Sequence, residues 1–196
     1  HPFKSSNLLD ITLEKLKGSK RIKEVIVSSN DELVREFCKT NNYKFHERKD
    51  ILSEWNSPIE GTIDSILETT DCSSISYISI INFEYPFMDI RNVENSIDVL
   101  NIYNANSSMS VIASESNYFN HSGNGLVPLS RNSKLRLERD KIFEETGGIH
   151  SVELSWYIKN RKLHSEKISH LMIERQASRK AIDLDDLKMF EAVLKT

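Results

Sequence analysis

The chain has 196 residues, of which 38% are apolar and 28% are charged, as is typical of one compact soluble domain spanning residues 1–196. The 26 Lys and Arg against 29 Asp and Glu leave no basic excess, so neither nucleic acid nor an anionic membrane is expected as a partner. The two cysteines, Cys38 and Cys72, exclude a disulfide scaffold and a cysteine-based zinc site. With no secretory signal or membrane span in the sequence, a cytoplasmic location is predicted.

Helical and strand patterns alternate from the start of the chain to residue 114. Leucines at three- and four-residue spacing after the capping residue Asn7 predict a helix over about 7–17, and a β-branched run predicts a buried strand over 24–29. Further strands are predicted over 43–48, 75–82 and 108–114, with helices after residue 29, from residue 57 and from residue 90 to residue 100. This alternation predicts a three-layer α/β fold with a mostly parallel sheet and helices on both faces.

Two of these helices begin with sequence patterns typical of a capping box. Ser29 and Glu32 have the required spacing, and the helix that follows is expected to bury Leu33 and Cys38 on one face. The segment Ser57-Pro-Ile-Glu60 is the second such pattern, and its proline suits the first helical turn. Both patterns predict the residue at which a helix begins.

Residues 115–140 depart from this alternation. The segment is polar, contains turn glycines and a basic run, and is too long for a routine connection, so a protruding hairpin or arm is predicted. Apolar residues in and beside the arm require a partner surface, which predicts a symmetric homodimer; the alternative is an arm folded back on its own domain. These residues are Val111, Ile112, Leu126, Val127, Leu129, Leu135 and Leu137. A strand over about 168–174 and a last helix carrying Leu187 and Phe190 follow.

Ligands of an open α/β sheet bind at the carboxyl ends of its strands. Four segments qualify: 28–31, Arg48 with the loop to Ser57, 82–87, and Asp183-Leu-Asp185. In an extended segment, Asp183 and Asp185 point to the same face, a geometry that suits Mg²⁺ and therefore nucleotide chemistry. The alternative is that these acids cap the final helix.

Other candidate groups have simpler explanations. Arg48 suits a phosphate or a base carbonyl, but a single arginine at a strand end is more often a partner in a surface ion pair. The predicted cap already accounts for Ser57. The histidines at 46, 121, 150, 164 and 170 show no ligand spacing, so no zinc site is predicted. No serine has the glycines of a nucleophile elbow around it, so hydrolase chemistry is not indicated. The motifs GxxxxGK[ST] and GxGxxG do not occur either, so the usual phosphate-binding loops are not predicted.

The order of these segments resembles that of the acylneuraminate cytidylyltransferase family, the CMP-sugar synthetases that activate sialic acid and related acidic ketosugars. The resemblance covers nearly the whole chain and rests on five segments that follow one another in the family's order. They are Ile22-Lys-Glu-Val-Ile-Val-Ser-Ser-Asn-Asp31, Arg48-Lys-Asp-Ile-Leu52 followed by Ser57-Pro-Ile59, Asn82 to Phe87, Thr146-Gly-Gly-Ile-His150, and Asp183-Leu-Asp185 before Phe190.

The resemblance implies the nucleotide-diphospho-sugar transferase fold, with CTP and an acidic sugar as substrates, Mg²⁺ as cofactor and a homodimer built by the arm at 115–140. It also implies that Asp183 and Asp185 hold Mg²⁺ and serve catalysis. The nucleotide-binding residues that it implies are Arg48, Ser57, Ser29 and Asn30; the sugar-binding residues are Asn82, Tyr85, Arg136 and Arg139, the arginines reaching the partner's site.

Departures from the family keep a second interpretation open. The family's N-terminal strand and Gly-rich, triphosphate-binding loop have no counterpart here, and Leu135-Arg136-Leu137 stands where the arm usually carries Arg-Arg-Gln. The alternative function is a catalytically impaired relative that serves as a nucleotide-binding, sugar-binding or dimerisation module.

Overall fold

The computed structural model describes residues 2–3, 6–114, 116–129 and 142–194. Its helices are α1 (Leu8–Leu16), α2 (Glu32–Thr40), α3 (Ile59–Leu67), α4 (Ile90–Tyr103), α5 (Leu154–Asn160) and α6 (Leu184–Leu194), with a 3₁₀ turn at Asp50–Leu52. Its strands are β1 (Pro2–Phe3), β2 (Ser6–Asn7), β3 (Ile26–Ser29), β4 (Lys44–Glu47), β5 (Tyr77–Ile81), β6 (Ser107–Ser114), β7 (Phe119–His121), β8 (Leu126–Pro128), β9 (Ile142–Glu153) and β10 (Ile168–Met172). No helix in these described ranges has the length and hydropathy needed to cross a membrane.

Four strands form the main sheet, in the order β10, β6, β9, β5. β10 pairs with β6 in parallel, whereas β9 runs antiparallel to both of its neighbours, so three of the four strands point the same way. β3 and β4 form a separate parallel pair. The predicted α/β class is confirmed.

The sequence does not predict β9. Gly147 and Gly148 interrupt the strand pattern of β9 at the point where its register with β6 shifts, between Met109 and Val111.

Helices cover both faces of the sheet, as the sequence predicts. On β9, Ile149 and Val152 point to opposite faces because they lie three residues apart along the strand. Ile149 packs with Val93 of α4 on one face, whereas Val152 packs with Ile63 of α3 and Tyr157 of α5 on the other. The sheet is therefore the middle of three layers.

Serine hydroxyls join the strands of this core to one another and to α4. The Ser151 hydroxyl on β9 lies 2.8 Å from that of Ser79 on β5 and 2.7 Å from that of Ser96 on α4. The Ser107 hydroxyl on β6 lies 2.9 Å from that of Ser165. Because a hydroxyl both donates and accepts, these buried groups satisfy one another. Their role in the structure is therefore to hold the strands and α4 together within the core.

The N-cap of α1 is the one that the sequence predicts, but that of α2 is not. Asn7 Oδ1 accepts from the Asp10 amide at 2.8 Å. At α2 the capping residue is Asp31, whose Oδ1 accepts from the Leu33 amide at 2.7 Å, while Ser29 Oγ only accepts from the Asp31 amide. The predicted Ser29 capping box is wrong because α2 begins two residues later. This shift leaves Leu33 80% exposed, contrary to prediction, while Cys38 is fully buried as expected.

The second predicted capping box, at the start of α3, is also wrong. Pro58 occupies the cap position and makes no side-chain cap. The Ser57 hydroxyl donates instead to the Ile51 carbonyl, and a Glu60 carboxylate oxygen accepts from the Leu163 amide at 3.4 Å. Ser57 thus secures the loop after the 3₁₀ turn, and Glu60 joins α3 to the segment after α5.

The described part of the predicted arm is an antiparallel hairpin of β7 and β8, and residues 115 and 130–141 lie outside the described residues. Leu126 and Leu129 are 69% and 53% exposed, as expected of apolar residues without cover from their own domain. Val111, in contrast, is buried within its own sheet, so the prediction that it needs a partner is wrong. Arg136 and Arg139 also lie outside the described residues.

Candidate functional site

The segment after β5 is held between β9 and the residues that precede α6. The Asn82 amide donates to the Gly148 carbonyl at 3.0 Å, and Asn82 Oδ1 accepts from the Glu84 amide at 3.0 Å. The Glu84 carbonyl in turn accepts from the Ala181 amide at 2.7 Å. Two of the segments predicted to form the site, 82–87 and Asp183-Leu-Asp185, are therefore brought to the same end of the sheet.

Tyr85 occupies the floor of this region. Its side chain is only 6% exposed, its hydroxyl donates to the Thr146 carbonyl, and burial raises its pKa. A Cβ at Gly148 would lie 2.4 Å from Met88 Cε and 3.4 Å from Tyr85 Cγ, and Gly147 has a φ of +72°. The glycine pair thus lets β9 pass close over the Tyr85 ring. The predicted contact of Tyr85 with a sugar stays a prediction.

A Glu84–Lys180 ion pair lies beside Asn82, and sequence reasoning missed both of its members. Lys180 Nζ lies 2.7 Å from Glu84 Oε2, and this contact raises the pKa of Lys180. Asn82 Nδ2 donates to the same carboxylate oxygen at 3.3 Å. Glu84 lies within a segment singled out for its position after a strand, whereas no sequence motif marks Lys180.

Asp183 caps α6, the alternative that the sequence left open. Its Oδ1 accepts from the amides of Asp185 and Asp186, both at 2.9 Å. Asp185 lies within the first turn of α6, and its Oδ1 pairs with Lys188 at 2.8 Å. The premise of an extended segment is therefore wrong, because Asp183 is the capping residue of α6 and Asp185 already lies in its first turn. Buried Phe190 holds α6 against Phe87, with ring centroids 4.9 Å apart.

The donor set of Asp183 and Asp185 still fits a hard cation. Both side chains are exposed, and in each the Oδ2 atom makes no hydrogen bond to the described residues. Carboxylate oxygens together with water and phosphate oxygens are the ligands that Mg²⁺ prefers. Metal binding and helix capping are thus compatible at Asp183.

A second polar group lies at the carboxyl ends of β3 and β4. Arg48 Nη2 donates to the Ser28 carbonyl at 2.9 Å, and its Nε lies 3.4 Å from Ser28 Oγ. His46 Nδ1 lies 3.0 Å from the same hydroxyl, and His46 Nε2 lies 3.1 Å from Ser65 Oγ on α3. Burial lowers the pKa of Arg48; burial and, secondarily, the Arg48 charge lower that of His46. Among the described contacts, Arg48 Nη1 makes no hydrogen bond.

The other predicted nucleotide-binding residues have local partners. Asn30 Nδ2 donates to Asp50 Oδ1 at 3.3 Å, across the turn that follows β4. Ser29 and Ser57 bond to backbone groups nearby. Asn30 therefore joins the ends of β3 and β4 next to Arg48, whereas Ser57 lies farther along the loop. Their contacts with a nucleotide stay predictions.

The structure also assembles a histidine cluster that the sequence does not predict. His150 Nε2 on β9 lies 2.9 Å from His164 Nε2 in the segment after α5, and His150 Nδ1 lies 3.7 Å from Glu145 Oε1. Burial, followed by the His164 charge, lowers the pKa of His150 against the opposing effect of Glu145 and Glu60. The fourteen-residue spacing of the two histidines matches no motif, so only the tertiary structure reveals this cluster.

The chain matches no protein-family model and no curated protein sequence. Solved structures do share its fold. CMP:2-keto-3-deoxy-manno-octonic acid synthetase, in complex with CTP, has a TM-score of 0.68 at 11% identity, over 99% of this chain and 91% of that chain. For 4-diphosphocytidyl-2C-methyl-D-erythritol synthase from Anaerococcus prevotii the values are 0.67 and 12%, over 98% and 88%.

A third structure of similar fold is 2-C-methyl-D-erythritol 4-phosphate cytidylyltransferase from Thermus thermophilus. Its TM-score is 0.59 at 13% identity, over 98% of this chain and 91% of that chain. At such low identities the similarity establishes the fold alone. The nucleotide-diphospho-sugar transferase-like fold that the resemblance implies is therefore confirmed.

Proposed function

We propose that the chain is a cytidylyltransferase that transfers CMP from CTP to an acidic ketosugar, sialic acid or a related nonulosonate, and releases pyrophosphate. The observation that supports this most is the fold, which the chain shares over 99% of its length with a CMP-sugar synthetase in complex with CTP. The polar groups at the carboxyl ends of the strands provide a site in the position where such folds bind ligands.

Each side chain has a role in this proposal that follows from its chemistry. Arg48, with a donor to spare beside Ser28, would bind the cytosine or ribose, and Asn82 would bind the sugar. Asp183 and Asp185 would hold Mg²⁺, which neutralises charge on the phosphate oxygens when bound. The sugar hydroxyl attacks the α-phosphate and pyrophosphate leaves, so alignment and charge neutralisation are the main contributions that the protein makes.

A catalytically impaired relative is the second candidate function, and the contacts of the acidic side chains favour it. Asp183 Oδ1 caps α6, Asp185 Oδ1 pairs with Lys188, and Glu84 pairs with Lys180. Because one oxygen of each of these carboxylates already has a partner within the protein, only the other is left for a cation, and such a site would hold Mg²⁺ more weakly. Such a relative would bind CTP or a sugar without turning them over.

A pyrophosphate-release assay separates the two candidates. With CTP, Mg²⁺ and sialic acid, the chain should release one pyrophosphate for each CMP-sugar formed, and ATP in place of CTP should release none. A direct titration with CTP accompanies the assay. CTP binding without pyrophosphate release for any acidic ketosugar would favour the impaired relative, and no CTP binding would overturn both.

Replacing Arg48 by alanine should weaken CTP binding at least tenfold, about 1.4 kcal/mol, because the guanidinium supplies fixed donors to the nucleotide. Stability should fall by only about 0.5–1.5 kcal/mol, the worth of the hydrogen bond to the Ser28 carbonyl. Calorimetric titration and urea unfolding measure the two effects. Arg35→Ala is the matched control, since Arg35 forms ion pairs with Glu32 and Glu47 on the adjoining surface. Equal CTP affinity in both variants would show that Arg48 is structural.

The exposed leucines of the hairpin should build a dimer. Sedimentation should show a species of twice the 22.6 kDa chain mass, and the double variant Leu126→Asp, Leu129→Asp should be a monomer because its charges cannot be buried in an interface. Leu33→Asp changes a leucine on α2 that is more exposed than either of these, at 80%, and should remain dimeric. A monomeric natural chain, or a dimeric double variant, would contradict this interface.

A further inference from the structure

We propose that Glu145, His150 and His164 form a binding site for a divalent transition-metal ion, with Zn²⁺ as the representative ligand. Suitable ligand atoms of the three side chains lie within 4.8 Å of one another, which is true of no other such trio of His, Cys, Asp or Glu in the described part of the chain. The proposal does not depend on the proposed transferase function, and it concerns residues other than Asp183 and Asp185.

The distances between the side chains match those of a metal site. Zinc binds histidine nitrogen at about 2.0–2.1 Å, so two imidazole nitrogens on one ion lie roughly 2.9–3.4 Å apart. The Nε2 atoms of His150 and His164 are 2.9 Å apart, and the two rings are inclined to each other at 55° with their centroids 4.7 Å apart. A small rotation of the exposed His164 ring would admit the ion between them.

Glu145 lies on the opposite side of the His150 ring. Its Oε1 is 3.7 Å from His150 Nδ1, on the side where metal-binding histidines commonly meet a carboxylate. Such a carboxylate favours the tautomer with the proton on Nδ1, which leaves Nε2 free to bind a metal. Glu145 thus either orients His150 or, through the movement of an exposed side chain, adds an oxygen ligand.

The backbone on both sides of the site lies in or beside the core, while the side chains of Glu145 and His164 are exposed. His150 lies on β9 between Ile80 and Met109 of the neighbouring strands. The residues that flank His164, Leu163 and Ser165, are both buried. The His150 side chain is 14% exposed and that of Glu145 is 46% exposed. An ion therefore has a route from solvent to ligands that need little rearrangement.

The donor set determines which ions fit. Imidazole nitrogen suits Zn²⁺, Ni²⁺, Co²⁺ and Cu²⁺, whereas Mg²⁺ prefers oxygen ligands and keeps several waters. Water molecules would complete the coordination, because the site offers three protein ligands at most. A bound ion would also link β9 to the segment after α5, which are far apart along the chain.

Calorimetric titration of the full chain, prepared without a polyhistidine tag, with Zn²⁺ alone tests the proposal. We expect one strong site per chain, at least tenfold weaker binding in His164→Gln, and a similar loss in His150→Gln. Co²⁺ should give a visible absorption band in the natural chain and lose it in His164→Gln. His121→Gln, a change of an exposed histidine on the β7–β8 hairpin, should bind as the natural chain does.

The exposed position of His164 keeps the test valid even if His150→Gln fails to fold. Absence of a strong Zn²⁺ site in the natural chain, or undiminished affinity in His164→Gln, would show that the two histidines form only a hydrogen bond. Loss of affinity in His121→Gln to the same extent would likewise overturn the assignment. None of these outcomes depends on CTP binding or pyrophosphate release.

Discussion

Replacing Tyr157 by alanine is expected to lower the free energy of unfolding by about 3–5 kcal/mol, a large share of the 5–15 kcal/mol typical of a whole domain. The Tyr157 side chain is fully buried, and it packs with Ile63, Val152 and Leu163 between the sheet and its helices. Alanine leaves a cavity there that the surrounding strands cannot close. Urea unfolding followed by circular dichroism measures the change.

The hydroxyl of Tyr157 contributes separately. Its oxygen lies 3.0 Å from the Glu60 carbonyl and 2.9 Å from Asp64 Oδ1, two acceptors within reach of its single proton, and Asp64 also pairs with Arg161. Tyr157→Phe should therefore cost only about 1–2 kcal/mol, since the ring still fills its site and Asp64 keeps one partner.

The matched control for Tyr157 is Trp55, a large aromatic residue that is fully exposed in the loop before α3. Trp55→Ala should change the free energy of unfolding by less than about 0.5 kcal/mol, because no packing is lost. A Tyr157→Ala variant as stable as Trp55→Ala would contradict the packing of α3 and α5 on this face of the sheet.

Asp183→Asn is expected to lower kcat/KM for CMP transfer by at least about 100-fold, or about 2.7 kcal/mol of transition-state stabilisation. The change removes one negative charge from the site proposed for Mg²⁺. It leaves the helix cap in place, because asparagine caps a helix as well as aspartate does, so stability should change by less than about 0.5 kcal/mol. Pyrophosphate release and urea unfolding measure the two quantities.

Two further variants separate the metal from the cap. Asp183→Ala removes both functions and should cost about 0.5–2 kcal/mol in stability in addition to the loss of activity. Asp89→Asn makes the same chemical change at the N-cap of α4, where Asp89 accepts from the Arg91 amide, and should leave activity unchanged. Full activity in Asp183→Asn would contradict the metal role and show that Asp183 serves only as the cap of α6.

Elements with strong local periodicity are predictable from this sequence. The helix capped by Asn7, the helix from residue 90 and the buried position of Phe190 are found as the sequence indicates. Each depends on residues three or four apart along one helix, so tertiary contacts reinforce a preference that is already local.

Helix starts are less predictable where several polar residues compete for the same amides. Ser29 and Asp31 both precede α2, and both have side chains that can accept a hydrogen bond from the backbone. Asp31 takes the cap and Ser29 the turn before it because β3 extends to Ser29 and pairs with Glu47. The outcome is decided by a strand pairing between residues far apart in the sequence.

The sequence by itself determines the α/β class, the alternation of helices and strands up to residue 114, and the polar segments that follow those strands, because these depend on periodicity and on neighbouring residues. The direction of β9, the Glu84–Lys180 pair and the meeting of His150 with His164 are decided only by the tertiary structure. Each of these depends on contacts between segments that are distant in the sequence. A local sequence pattern does not show which distant segments come into contact. For the same reason, the sequence presents Asp183 and Asp185 as an adjacent pair, whereas the start of α6 at Leu184 separates their roles.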